Sequence, residues 1–239
     1  NPRNITAVAC AGRDSSGLTQ FWAAGAGGAI VYSRDDGANW SEFIPNVTLP
    51  ASLSLGQVAW TGVAFTTLDD GLIVGKDAVG STPATMGIAL LISNASTNPI
   101  ATVLPAVSEP LTAVDLRGIN GYAVGSAGGI YRYNRVLQAF FAVTPTYSTT
   151  YPAVGLETVQ VVGAGSTHQV FAGGADGRVA SYSGGVPVDP NGWQVGQKSD
   201  ASTTLTSMSF LPSGLGYAIG IGGSAEGLGA QSTLVRWVP

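Results

Sequence analysis

The sequence predicts an all-β protein: a β-propeller of five blades, each of about four antiparallel strands. Three observations lead there. A unit of strand, glycine-ended strand and strand recurs at nearly fixed spacing; β-branched and aromatic residues fill the short runs between turns; and no window keeps the three-and-four spacing of an amphipathic helix. Four short strands repeated every ~40–50 residues match a propeller blade, whose sheet cannot bury both faces until a neighbour stacks on each. A β-sandwich or β-solenoid is the alternative, although solenoid repeats are usually shorter and sandwiches rarely repeat their sequence.

The elements follow in order. First strands read ITAVAC from Ile5, QVAWTGVAF from Gln57, LTAVDL from Leu111, LETVQVV from Leu156 and LTSMSF from Leu205, three of them opening on Leu-Thr or Leu-Glu-Thr. Second strands read FWAAGAGG, GLIVGKDA, GYAVGSAGG, QVFAGGADG and GYAIGIGG, which align Gly25, Gly75, Gly125, Gly173 and Gly220. Third strands read AIVYSRD, GIALLIS, GIYRYNR, RVASYSG and STLVRWV, rich in strand-forming residues. A fourth follows in four units, as WSEFI, IATVL, QAFFAV and GWQVG. The expected units are 5–50, 57–105, 111–144, 156–197 and 205–239, within one domain over 1–239. The fifth stops after its third strand, so either that blade has three strands or something else completes it.

Composition narrows the function classes. Only 10 % of the 239 residues are charged, against an average of about 25 %, and the net charge of −4 offers no footprint for nucleic acid. No apolar run approaches the ~20 residues of a membrane-spanning helix. Cys10 is the only cysteine, which excludes an intrachain disulfide and a thiolate metal cluster. The opening NPRNIT has neither an initiating Met nor a basic-then-apolar leader, and a processed chain or a part of a longer one is expected.

Residues 33–40, SRDDGANW, fit the Asp-box pattern of Ser or Thr, any residue, Asp, any, Gly, two of any kind, and Trp or Phe. Its logic is local: in the hairpin opened by Ser33, Asp35 ties the turn by accepting backbone N–H bonds, Gly37 takes positive φ, and Trp40 packs under the turn. Together with residues 22–30, WAAGAGGAI, this stretch resembles the repeats of the Ycf48-like family, the photosystem II stability and assembly factors. Residues 121–130, GYAVGSAGGI, and 216–220, GYAIG, repeat the strand without the box. The resemblance implies a non-catalytic propeller in the thylakoid lumen or another exported compartment, an accessory, extrinsic or assembly subunit of a photosynthetic membrane complex acting through protein contacts. Rings of that family have seven blades and an arginine patch; five units are read here and the arginines are scattered, so no partner-binding residue carries over.

An enzyme is the reading to test against this, because sialidases also use Asp-box turns. Their chemistry needs an arginine triad, a Tyr nucleophile with its Glu, and an Asp acid/base. Arg3, Arg13, Arg34, Arg117, Arg132, Arg135, Arg178 and Arg236 do not recur at equivalent blade positions. The only histidine, His168, sits in a polar turn and is expected at the surface. Asp69 and Asp70 before Gly71 read as a turn, without the alternating carboxylates of a calcium loop. No catalytic residue, metal site or cofactor is therefore assigned.

Candidate partner-binding residues fall in two groups. Lys76, Asp77, Asp176 and Glu226 lie in turns after second strands, which a propeller gathers on one face, and insertions at 76–85 and 222–231 lengthen two of those turns. Tyr131, Arg132, Tyr133 and Arg135 give an aromatic and basic strand edge of the kind favoured at protein interfaces. Sequons at Asn4, Asn39, Asn46 and Asn94 support a second expectation, a secreted or cell-surface recognition module with glycans as its candidate ligands.

Overall fold

The computed structural model describes residues 4–78, 84–163, 165–183, 192–197, 203–211, 216–222 and 231–237. Their strands form five antiparallel sheets, each taken up in chain order from its inner strand outwards. Blade 1 comprises β1 (Ile5–Arg13), β2 (Thr19–Gly25), β3 (Ile30–Ser33) and β4 (Ser41–Glu42); blade 2 comprises β5 (Val58–Phe65), β6 (Gly71–Asp77), β7 (Gly87–Ser93) and β8 (Ile100–Val103). Blade 3 is built from β9 (Leu111–Arg117), β10 (Asn120–Gly125), β11 (Ile130–Asn134) and β12 (Ala139–Ala142), and blade 4 from β13 (Leu156–Val162), β14 (Gln169–Gly174), β15 (Arg178–Ser183) and β16 (Gln194–Gln197). Blade 5 has three strands, β17 (Thr203–Phe210), β18 (Gly216–Gly222) and β19 (Gln231–Trp237). The fold is thus the all-β propeller expected, with one blade of three strands. None of the described helices is long and apolar enough to cross a membrane.

Successive inner strands pack side by side, β1 on β5, β5 on β9, β9 on β13 and β13 on β17, while β17 and β1 share no comparable contact. The blades therefore form an arc around a central cavity of about 360 Å³ lined by all five inner strands. The apolar core is a series of layers between blades rather than one central mass. Between blades 1 and 2, Trp22 stacks on Tyr32 and on Phe65 with ring centroids 5.1 and 5.4 Å away and meets the edge of Phe43. Between blades 3 and 4, Tyr122, Val124 and Ile130 pack on Leu156, Val159 and Val161. Full burial of each such side chain contributes about 1.5–3 kcal/mol, so these layers dominate the stability.

A bulge in every inner strand ties one layer to the next. The extra residue is Thr6, Thr61, Thr112, Glu157 or Thr206, where the register with the second strand slips by one. Thr6 Oγ1 lies between Ala24 O of its own sheet, at 3.3 Å, and Trp60 O of blade 2, at 2.7 Å. Thr61 bridges Val74 O and Leu111 O at 3.3 and 2.8 Å, and Thr112 bridges Val124 O and Leu156 O at 3.1 and 2.5 Å. Glu157 replaces threonine in blade 4, and there Gln160 Oε1 accepts the Phe210 N–H at 2.7 Å instead. Between blades 3 and 4 a second such link occurs: Asp115 Oδ2 accepts the Val161 N–H at 2.7 Å. Burial pushes the Asp115 carboxyl up, against the pull of the Val161 and Leu116 N–H groups.

The aligned glycines stand opposite these bulges. Gly25, Gly75, Gly125 and Gly220 pair with Ile5, Trp60, Leu111 and Leu205. In blade 4 the partner of Leu156 is Gly174, so the expected alignment on Gly173 is corrected by one residue. The reason for glycine is close approach: a Cβ on Gly25 would lie 1.9 Å from Asn4 O, and one on Gly174 2.0 Å from Gly155 O.

The turn at residues 33–40 is bonded within itself. Ser33 Oγ donates to Asp35 Oδ1 at 2.7 Å and accepts the Gly37 N–H at 3.0 Å. Asp35 also accepts the Asn39 backbone N–H at 2.9 Å and its Nδ2 at 2.7 Å. Gly37 has φ of 86°, and Trp40 Nε1 donates to Gly37 O at 3.0 Å. Trp40 remains 45 % exposed, so its ring lies over the turn, 6.5 Å from Phe21, rather than beneath it. His168, expected at the surface, is instead fully buried: Tyr122 Oη and its Nε2 are 2.8 Å apart, and its Nδ1 is 2.9 Å from Gly165 O. The polar neighbours that suggested exposure are the chain that caps it.

Two tests follow from this architecture. Thr112→Val removes the hydroxyl that donates to Leu156 O and is expected to lower stability in urea unfolding by about 1–3 kcal/mol, whereas Thr206→Val, where the hydroxyl has no bond to another blade among the described residues, is expected to have much less effect. The Asn39 N–H, the Ser33 hydroxyl and the Asn39 side chain together hold the Asp35 carboxyl at about 2, below its ordinary 3.8. Because the folded value is the lower one, the bonds of this turn stabilise the protein fully above the ordinary value and that contribution fades as pH falls towards 2. Carboxyl carbon NMR is expected to show Asp35 titrating near 2, and a titration at the ordinary value would contradict the bonding described.

Candidate functional site

The candidate residues do not form one site. Because neighbouring strands run antiparallel, the first and third strands of each blade end at one end of the arc and the second strands at the other. Lys76, Asp77 and Asp176 belong to the second end; Tyr133 and Arg135 approach the first. Glu226 lies outside the described residues, as do 79–83 of the first insertion and 223–230 of the second.

At the second end the acidic residues are largely engaged in shaping turns. Asp77 accepts the Thr85 and Met86 N–H bonds at 2.8 and 3.1 Å and so closes the turn after β6. Asp176 holds a left-handed corner, φ 57°, between β14 and β15. Lys76 is half-buried at the end of β6. Of the strand-edge residues, Tyr131 is also structural: its hydroxyl donates to Glu109 Oε1 at 2.7 Å, while Glu109 Oε2 accepts the Ala127 N–H at 2.6 Å. Burial, then the bond to Glu109, raises the Tyr131 hydroxyl above its ordinary value. Arg132 has a buried Nε without a hydrogen-bond partner.

The first end holds a groove of about 270 Å³ between blades 2 and 3. Its floor is apolar, made by Leu72 and Leu91 of blade 2 and Leu116 of blade 3, with Tyr133 in the wall. The turn of blade 2 is fixed by Thr67 Oγ1, which accepts the Asp69 and Asp70 N–H bonds at 3.2 and 3.1 Å, and Thr66 Oγ1 reaches across to Gly118 O at 3.0 Å. Arg135 pairs with Asp70 over the groove and joins the two blades. The third turn of blade 3 is set by Asn134 Oδ1, which accepts the Val136 and Leu137 N–H bonds at 3.0 Å each and turns both side chains outwards.

The consequence is an unusual rim. Ile119, Val136 and Leu137 stand 63–91 % exposed within two neighbouring turns, beside a partly exposed ion pair. Tyr133 is buried, yet its hydroxyl has no hydrogen-bond partner, and burial pushes its ionisation up. Exposed aliphatics beside a partly exposed ion pair make a surface suited to an extended peptide, with apolar contacts supplying area and the ion pair fixing orientation. Sequence reasoning found Tyr133 and Arg135 but missed Asp70, Leu116 and Ile119 as their neighbours, since these come from different repeats. The one available signal was the pair of exposed aliphatics after Asn134.

The four sequon asparagines are all exposed, and Asn39 spends its Nδ2 on Asp35. Among the described residues no group of three or more His, Cys, Asp or Glu side chains is placed to hold a metal ion.

No protein-family model matches the sequence, and no curated protein matches it. Solved structures do match in fold. A structure of Ycf48 bound to a D1 peptide aligns with a TM-score of 0.57 at 17 % identity, covering 98 % of this chain and 69 % of that one. Ycf48 from Cyanidioschyzon merolae aligns with a TM-score of 0.47 at 11 % identity, covering 98 % and 85 %. The repeat likeness read from residues 22–40 thus has its counterpart in three dimensions: the chain has the β-propeller fold of the Ycf48 structures.

Proposed function

We propose that this chain is a non-catalytic, protein-binding propeller, an accessory or assembly subunit of a photosynthetic membrane complex, and that it takes an extended segment of its partner in the groove between blades 2 and 3. The observation that carries the reading is the groove itself, lined by Leu72, Leu91, Leu116 and the exposed Ile119 beside the Arg135–Asp70 pair, with exposed Val136 and Leu137 in the adjoining turn. The fold shared with a Ycf48 structure that holds a D1 peptide supports it and suggests which partner to try first. The thylakoid lumen is the compartment this reading entails. The groove is assigned from the geometry of this chain alone.

The test is fluorescence anisotropy with labelled synthetic peptides tiling the photosystem II protein D1. One peptide is expected to bind saturably, with affinity lowered at least tenfold by Arg135→Glu and by Ile119→Asp, and unchanged by Lys76→Ala at the opposite end. Saturable binding that ignores both groove substitutions would move the site elsewhere. An absence of binding by every D1 peptide, together with failure of the protein to co-purify with thylakoid complexes, would overturn the proposed partner.

A further inference from the structure

The two ends of the arc differ in what their turns expose. Leu18 follows β1, Trp40 follows β3, Ile100 opens β8 after the turn from β7, Ile119 follows β9, and Val136 with Leu137 forms the tip after β11. All six lie at the end where first and third strands finish, and they are 40–91 % exposed. At the other end the described turns after β2, β6, β10 and β14 expose no large apolar side chain, and Ile44, beyond β4, is exposed near them.

Large apolar side chains on turn tips cover nothing of the protein's own, and their concentration at one end marks an association surface. Their distribution indicates the partner. A protein contact gathers its energy in a central packed cluster, whereas these side chains stand on separate tips spread over blades 1, 2 and 3. That arrangement suits a broad apolar medium entered at many points, the outer layer of a bilayer.

The tips are prepared for shallow entry. Asn134 Oδ1 already accepts the Val136 and Leu137 N–H bonds, and Trp40 Nε1 already donates to Gly37 O, so these groups leave water without stranding a donor. Tryptophan is also a residue favoured at the level of lipid headgroups. Charge decides the type of surface. Arg34 turns into the seam between blades 1 and 2, where it donates to Ala95 O at 2.9 Å and Thr97 O at 3.0 Å, and Arg135 pairs with Asp70. Asp14, Asp35, Asp36 and Asp69 accept N–H bonds within their own blades, and Arg13 and Arg117, the other cations at these turns, do not outnumber them. No excess of positive charge is offered to anionic lipid.

We propose that this end of blades 1 to 3 rests on a neutral lipid surface, with the six side chains entering the headgroup and upper acyl layer. The contact is interfacial and driven by apolar burial, so it needs neither a spanning segment nor anionic headgroups. It does not rest on the peptide reading of the groove, which opens at the same end.

Co-sedimentation with sucrose-loaded phosphatidylcholine vesicles tests this, with circular dichroism as the check on folding. The bound fraction is expected to rise saturably with lipid, to persist at high salt and to gain little from added phosphatidylglycerol. Val136→Asp combined with Leu137→Asp is expected to lower the partition coefficient at least tenfold, whereas Ile44→Asp at the opposite end leaves it unchanged. No binding to phosphatidylcholine, binding that ignores the double substitution, or binding confined to phosphatidylglycerol and lost in salt would each overturn the proposal. So would self-association without lipid that the double substitution abolishes, since a second copy would then be the occupant.

Discussion

A hydroxyl shared between the carbonyls of two sheets is the constraint on which this structure depends. A single hydrogen bond of this type contributes only about 1 kcal/mol, far less than the buried aromatic layers around it, so its importance is positional. The bulge that carries Thr6, Thr61 or Thr112 turns the side chain out of the pleat and towards the next blade, and in the same step shifts the strand register by one. Opposite it, a Cβ on Gly25, Gly75, Gly174 or Gly220 would collide with a backbone carbonyl of the inner-strand segment, whereas in blade 3 Gly125 makes room for the Glu109 side chain.

Where the bulge residue changes, the architecture compensates. Blade 4 has Glu157, whose carboxyl burial pushes up and Lys76 draws down, and its link forward passes through Gln160 instead. The stacked rings of Phe171 and Phe210, 3.9 Å apart and nearly parallel, reinforce this last internal contact. The layer between blades 1 and 2, centred on Trp22 and Trp60, is the most aromatic. The arc is therefore built from one joint made with different materials.

Much of this was legible in the sequence because repeats expose whatever is common to them. The blade count and the strand order follow from repeat spacing and strand-forming runs, while the three strands of the fifth blade were one of two alternatives the spacing left open. The Leu-Thr openings were visible as a regularity, but their meaning was not, since a carbonyl in the next blade is a partner that no pattern within one repeat names. His168 was misjudged for a related reason: its burial depends on Tyr122, 46 residues away. The groove was half legible. Tyr133 and Arg135 announce themselves by type, whereas Asp70, Leu116 and Ile119 join them only through the stacking of two blades. Asp77 and Tyr131 looked available for binding, and their side chains are instead spent on turns.

Under the proposed function, binding falls where the repeats differ, at the groove between blades 2 and 3, and the common joint sets the frame that holds it. If that joint couples the blades, the inner strands should open together and not one sheet at a time, with the end blades looser because each has a single neighbour. Native-state hydrogen exchange resolved by segment measures this directly. The account expects β5, β9 and β13 to share one slowest rate, with β1 and β17 exchanging faster. Separate, unrelated rates for β5, β9 and β13 would show that the blades are independent and would contradict it.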